Sequence, residues 1–328
     1  MKTSWGCCHA RWSMGGDVMR FAWLSILLAA CQPPLETDPE KAVVITEDLP
    51  RFFAALDEGT DAATLQRLYL DPGTPQLKAF VQRRIGSAEK LSQTVTRNRA
   101  YYASIRANVL GVATPEFVAS VRAAFTKARA LEPKAAFPPT ALLIGRMSSG
   151  GTTSSDAILV GTELFTAAPD SPRDTFDDFE KAATKSATPL LVPLIAHEHA
   201  HVLQQLTGFP TATTLLEQCV LEGMADFIGE KVSGGVVGTE LYTWAKAHEA
   251  QLWAEFQAEQ DGTDVSRWLY NQGKDPNRPG DLGYFIGSRI AEAYAKKVGD
   301  DAKAVQQMLR VKDLKQLVID SGYAGAPP

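Results

Sequence analysis

The chain has 328 residues, 45% of them hydrophobic and 22% charged, which is globular composition with length for one large domain or two small ones. A net charge of −5 gives no reason to expect nucleic acid or an anionic membrane surface as partner. No internal repeat is apparent, so a solenoid or propeller is not indicated.

The N-terminus reads as a leader. Met19-Arg20 gives a short basic start, and the apolar run from Phe21 to Ala30 is too short to span a bilayer. The run closes on Leu28-Ala29-Ala30-Cys31, which resembles a bacterial lipobox. That resemblance implies a signal peptide over residues 1–31, lipid on Cys31, and a protein exported to the cell envelope and anchored to the membrane. An ordinary signal peptidase site is the alternative. Residues 1–18, with Cys7, Cys8 and His9, read as an extension upstream of a start at Met19 or Met14. Cys219 then remains the only other cysteine, so no internal disulfide is expected. It reads as a small buried hydrophobe.

Residues 32–42 lack periodicity and read as a flexible tether. A helical region is expected over 43–137. Thr46-Glu47-Asp48 caps an amphipathic helix carrying Leu49, Phe52, Phe53 and Leu56. Further helices are expected over 62–70, as one long element from 76 to 105, and over 115–131. Their aromatics read as packing.

The character changes at Pro138-Pro139, where a second region, 138–328, begins. Residues 140–145 and 157–161 read as strands around a Gly- and Ser-rich loop, which predicts a β-hairpin. Such an edge can pair with an extended peptide or simply cover the core. Residues 168–187, with Asp170, Asp174, Asp177, Asp178 and Glu180, read as a solvated loop and short helix.

Leu190 to Ala196 is an apolar run leading into His197-Glu198-His199-Ala200-His201, an H-E-x-x-H signature. On a helix, positions i and i+4 share a face, so His197 and His201 aim at one point. Imidazole nitrogen suits Zn²⁺, and Glu198 can act as general base on a water beside it. His199 points off that face and reads as a surface His or a support for the ligands. In a chain with five His, the signature arises by chance about once in two hundred. The helix is expected to run from 188–193 to Gly208, and a second from Thr214 to 233–235. The second carries Glu222-Gly223-Met224-Ala225-Asp226, in which Glu222 is the candidate third ligand. Asp226, one turn on, can accept the free N–H of a ligand histidine. Later helices are expected over 241–256, from Gly283, and over 302–318.

H-E-H-A-H followed by E-G-M-A-D resembles the gluzincin metallopeptidases, the thermolysin-like clan. The order of a helical region, a Gly-rich hairpin, H-E-x-x-H, E-G-x-A and a late G-Y-x-x-G is similar to bacterial envelope lipoproteins described as predicted Zn-dependent proteases, and to gliding-motility lipoproteins. The resemblance implies zinc on His197, His201 and Glu222, Glu198 as base, Asp226 orienting a ligand His, and a peptide or protein substrate. It also implies a Tyr or His donor to the developing oxyanion. Tyr284, Tyr242, His248 and Arg289 qualify by position, and Tyr284 in Gly283-Tyr284-Phe285-Ile286-Gly287 is favoured. The expected fold is mainly α with a small β-hairpin or sheet, of α+β class. A non-catalytic zinc-binding envelope lipoprotein, or a metal-dependent hydrolase of non-peptide substrates, is the rival reading.

Overall fold

The computed structural model describes residues 35–328 except Ser155 and Ser186. The leader and Cys31 lie outside the described residues. Residues 35–328 form one compact unit. Helices dominate it, around a four-stranded sheet. Among the described residues, no helix is long and apolar enough to cross a membrane.

The sheet differs from the expected hairpin. Its strands are β1 (Val44–Ile45), β2 (Thr140–Leu143), β3 (Gly151–Thr153) and β4 (Ile158–Gly161), in the order β1-β2-β4-β3. The two apolar segments pair parallel, with Thr140 opposite Ile158 and Leu143 opposite Gly161. Both are buried at every position, because helices cover both faces of the sheet. Unbroken apolar runs of this kind suit parallel strands, whereas a half-solvated hairpin alternates. The antiparallel partner comes from the loop itself. Gly151 pairs with Val160 and Thr153 with Ile158, which makes β3 an edge strand.

Of the helices expected between residues 62 and 131, Pro115–Leu131 has the expected bounds and 62–70 is helical throughout, but the long one is broken. The stretch from 76 to 105 breaks into Pro75–Phe80, a π-turn at Val81–Ile85, Ala88–Arg97 and Arg99–Ser104. Gly86 at φ 85° ends the first part, and the Ser87 side chain caps the next helix by accepting from Lys90 N–H. These helices carry apolar faces, but two of their hydroxyls, together with a carboxylate that follows β4, also fix the chain that leads into β3. The Tyr69 hydroxyl donates to Ile144 O at 2.7 Å and accepts from Ile144 N–H at 3.1 Å. The Tyr102 hydroxyl donates to Gly145 O. The buried carboxylate of Glu163 accepts from Gly145 and Met147 N–H at 3.0 and 3.1 Å. Burial pushes this carboxyl up to about 6, against the pull of those N–H groups.

Residues 35–42, expected in a tether, lie against the domain. Glu36 bridges to Phe137, Ala42 is buried, and Arg122 and Arg129 donate to the carbonyls of Ala42 and Thr37. Glu180, expected to be solvated, is buried against Arg97 and Asn98. The stretch from 241 to 256 is two helices, Thr239–Ala247 and Glu249–Glu259, meeting at His248.

Two helices follow their sequence signals closely. Leu191–Thr207 carries His197 and stops at Gly208 in the left-handed region. Leu215–Ser233 carries Glu222 and starts with a capping box between Thr214 and Glu217. The second helix also crosses Leu282–Val298, and the crossing is backbone on backbone. A Cβ on Gly287 would lie 1.7 Å from Cys219 O, and one on Gly223 would lie 2.2 Å from Ser288 N. Cys219 is free and buried in this contact. The late G-Y-x-x-G segment is therefore a packing surface for the Glu222 helix. Gly287→Ala forces the helices apart, and overpacking of this kind costs about 1–3 kcal/mol or more. Thermal denaturation of the variant is expected to show that loss as a lowered midpoint.

Candidate metal centre

Three side chains from the two helices converge. His197 and His201 lie one turn apart, with ring centroids 4.7 Å apart and planes at 88°. The Nε2 atoms are 3.1 Å apart, and Glu222 Oε2 is 3.2 Å from that of His201 and 3.5 Å from that of His197. These are the three donor atoms of the candidate metal cluster found among the described residues.

The distances resemble hydrogen bonds, but the protons point elsewhere. His197 Nδ1 lies 2.7 Å from Asp226 Oδ1, an acceptor, so the neutral ring carries its proton there. His201 Nδ1 lies 2.7 Å from Gln204 Oε1, whose amide is oriented by donating its NH₂ to Leu221 O at 2.8 Å. Both Nε2 atoms thus present lone pairs to each other and to a carboxylate. Such a cluster needs a positive charge at its centre. Burial opposes charge on both imidazoles, yet Asp226 and Glu222 hold His197 well above its ordinary pKa, and Glu222 raises His201. Burial likewise opposes the charge of Glu222, and the two histidines drive it well below the usual carboxylate range.

Zinc meets the same demand without protons. Its bonds to nitrogen and oxygen of about 2.0–2.2 Å place tetrahedral ligands roughly 3.3–3.5 Å apart. The observed triangle of 3.1, 3.2 and 3.5 Å is close to one face of that tetrahedron. The donor set of two imidazoles and a carboxylate fits zinc.

Each donor has its own support. Asp226 Oδ2 accepts from the Tyr242 hydroxyl at 2.7 Å, so the carboxylate is held from both sides. Glu222 Oε1 accepts from the Tyr270 hydroxyl at 2.7 Å. Sequence reasoning missed Gln204 and Tyr270. The i, i+3 spacing from His201 could have suggested the first. Tyr270 lies 48 residues from Glu222 in a loop, and nothing local marks it.

Glu198 is buried, and the described residues form no hydrogen bond to its carboxylate. Burial raises its pKa, partly offset by His201 and His197. Its neighbour is Gly151 at the start of β3, where a Cβ would lie 2.6 Å from Glu198 Oε1. The second glycine of the Gly-rich loop thus leaves room for this carboxylate.

The four sequence candidates for an oxyanion donor separate. The Tyr242 hydroxyl is committed to Asp226. Arg289 is buried in a pair with Glu249 and also bonds Glu292. His248 stacks on Trp244 and bonds its carbonyl through Nδ1. Tyr284 lies with its ring centroid 5.9 Å from that of His197.

His199 is neither at the surface nor a support for the ligands. It is buried between Phe125 and Phe137 and donates Nε2–H to Ala136 O at 2.9 Å. Burial lowers its pKa from 6.5 to about 4.

Residues 180–314 match the family DUF2268, described as "Predicted Zn-dependent protease". The match spans Leu191–Thr207 and Leu215–Ser233, the helices that carry the candidate ligands. Neither a curated protein nor a solved structure matches the chain.

The His199 environment makes stability depend on pH. The unfolded ring binds its proton near pH 6.5 and the folded ring only near pH 4, so folded stability is complete above 6.5 and falls between these values. The difference amounts to about 3 kcal/mol. His199→Gln keeps an N–H donor and removes the titration. Urea unfolding at pH 7.5 and 4.5 is expected to show a smaller acid loss in the variant than in the wild type.

Proposed function

We propose that this chain is a zinc-dependent peptidase of the bacterial cell envelope. The observation that carries the reading is the convergence of His197, His201 and Glu222 beside a buried, unbonded Glu198. Bound at that point, zinc supplies Lewis acidity to a peptide carbonyl and acidifies water. The protein supplies the rest. Asp226 and Gln204 fix the tautomers of the two imidazoles so that Nε2 faces inward. Glu198 takes the proton of the attacking water and returns it to the leaving amine, a role for which a raised pKa is suited.

A peptide substrate is supported by the position of β3. This strand is at the sheet edge, packs on the His197 helix and begins at Gly151 against Glu198. No described strand pairs with its outer edge, where Gly151 O accepts from the Ser149 hydroxyl, and that edge can take an extended backbone and lay a peptide bond beside the base. Tyr284, with its ring beside His197, is the proposed donor to the developing oxyanion. Export and anchoring rest on the sequence alone, through the lipobox ending in Cys31.

Two experiments test the reading. Glu198→Gln is expected to keep zinc by metal analysis while peptide hydrolysis falls at least about a hundredfold, the usual contribution of a general base. His201→Ala is expected to lose the metal as well. Turnover retained in zinc-loaded Glu198→Gln defeats the mechanism. Separately, Cys31→Ser is expected to abolish lipid incorporation and release the protein from the membrane fraction. A variant that remains lipid-labelled excludes Cys31 as the anchor.

A further inference from the structure

The three candidate ligands differ in what holds them. His197 is held by Asp226 and Tyr242, and His201 by Gln204, all on helices. Glu222 is held by Tyr270, which lies outside every helix and strand. Tyr270 is also 57% exposed, although its hydroxyl reaches a buried carboxylate. Its backbone is left-handed, at φ 56°, a conformation unfavourable for a bulky aromatic residue.

The local structure explains how that conformation persists. Tyr270 is followed by a loop rich in Gly, Pro, Asn and Asp, residues 271–281. The loop is tied at its neck by reciprocal bonds. Asn271 N–H donates to Asp281 Oδ1 at 3.0 Å, and Asp281 N–H donates to Asn271 Oδ1 at 2.6 Å. Asn271 Nδ2 also donates to Arg267 O at 2.9 Å. Asp281 itself is left-handed, at φ 63°, and precedes the helix Leu282–Val298. That helix is locked against the Glu222 helix through Gly223 and Gly287. The clasp therefore joins Tyr270 to the same rigid body that carries Glu222.

We propose that Tyr270 is the positioning residue of Glu222. Its phenol reserves Oε1, so the carboxylate presents Oε2 alone to the cation, and the Asn271–Asp281 clasp holds the phenol in place. The inference rests on the zinc part of the proposed function and not on peptide hydrolysis.

The test uses zinc and cobalt(II) as probes of the purified protein. Tyr270→Phe removes one oxygen from a half-exposed ring, and its thermal unfolding is expected to match the wild type. Competition with a chelator is expected to show zinc affinity about 10–100-fold weaker, the usual effect of losing a hydrogen-bond partner of a ligand. The visible spectrum of the cobalt(II)-loaded variant is expected to change, because Glu222 gains a second free oxygen. Asn271→Ala keeps the phenol but unties the clasp, and is expected to weaken zinc in the same direction. Lys274→Ala, on the exposed part of the loop, is expected to bind zinc as the wild type does. Unchanged zinc affinity and an unchanged cobalt spectrum in Tyr270→Phe overturn the proposal. So does an equal loss in Lys274→Ala, which makes the effect one of the loop in general. A wild-type protein that binds zinc tightly without cutting peptides defeats the peptidase reading alone, since every arm here reads the metal.

Discussion

When both rings are neutral, two imidazole lone pairs and a carboxylate oxygen face one another with no hydrogen to share. Left neutral, that arrangement is repulsive, and it lies in a buried part of the protein where water does little to screen it. The fold nevertheless holds it with four side chains. Asp226 and Gln204 turn the protons away, Tyr242 steadies Asp226, and Tyr270 occupies the outer oxygen of Glu222. A cation resolves the conflict that these contacts create. The site is thus arranged for something positive at its centre, and its dimensions suit a small tetrahedral ion.

The scaffold places this cluster by close helix approach. The Glu222 helix packs mainly on the His197 helix and on Leu282–Val298, with smaller contacts to Pro115–Leu131 and Leu314–Ser321. Against Leu282–Val298 it uses Gly223 and Gly287, where any Cβ would overlap backbone atoms. The sheet does a different job. Its buried strands, fixed by Tyr69, Tyr102 and Glu163, deliver Gly151 to the edge of Glu198. Glu163 follows β4, while Tyr69 and Tyr102 lie among the N-terminal helices. Those helices carry no ligand, and the family match over residues 180–314 does not include them.

The sequence by itself determined the two helices that carry the candidate ligands, because their signals are local. H-E-x-x-H needs only the helical period to bring two rings together, and Thr214 with Glu217 or Gly208 marks a helix end within a few residues. The helical class and the buried state of Cys219 followed from composition and spacing in the same way. Only the tertiary structure decided the parallel pairing of the strands and the burial of His199 beneath Phe125 and Phe137. It alone decided that Tyr270 reaches Glu222 across 48 residues, while Arg289 and His248 turn elsewhere. Periodicity reports which face of an element is apolar. It carries no information about which distant backbone or side chain that face will meet, and those meetings assemble the site.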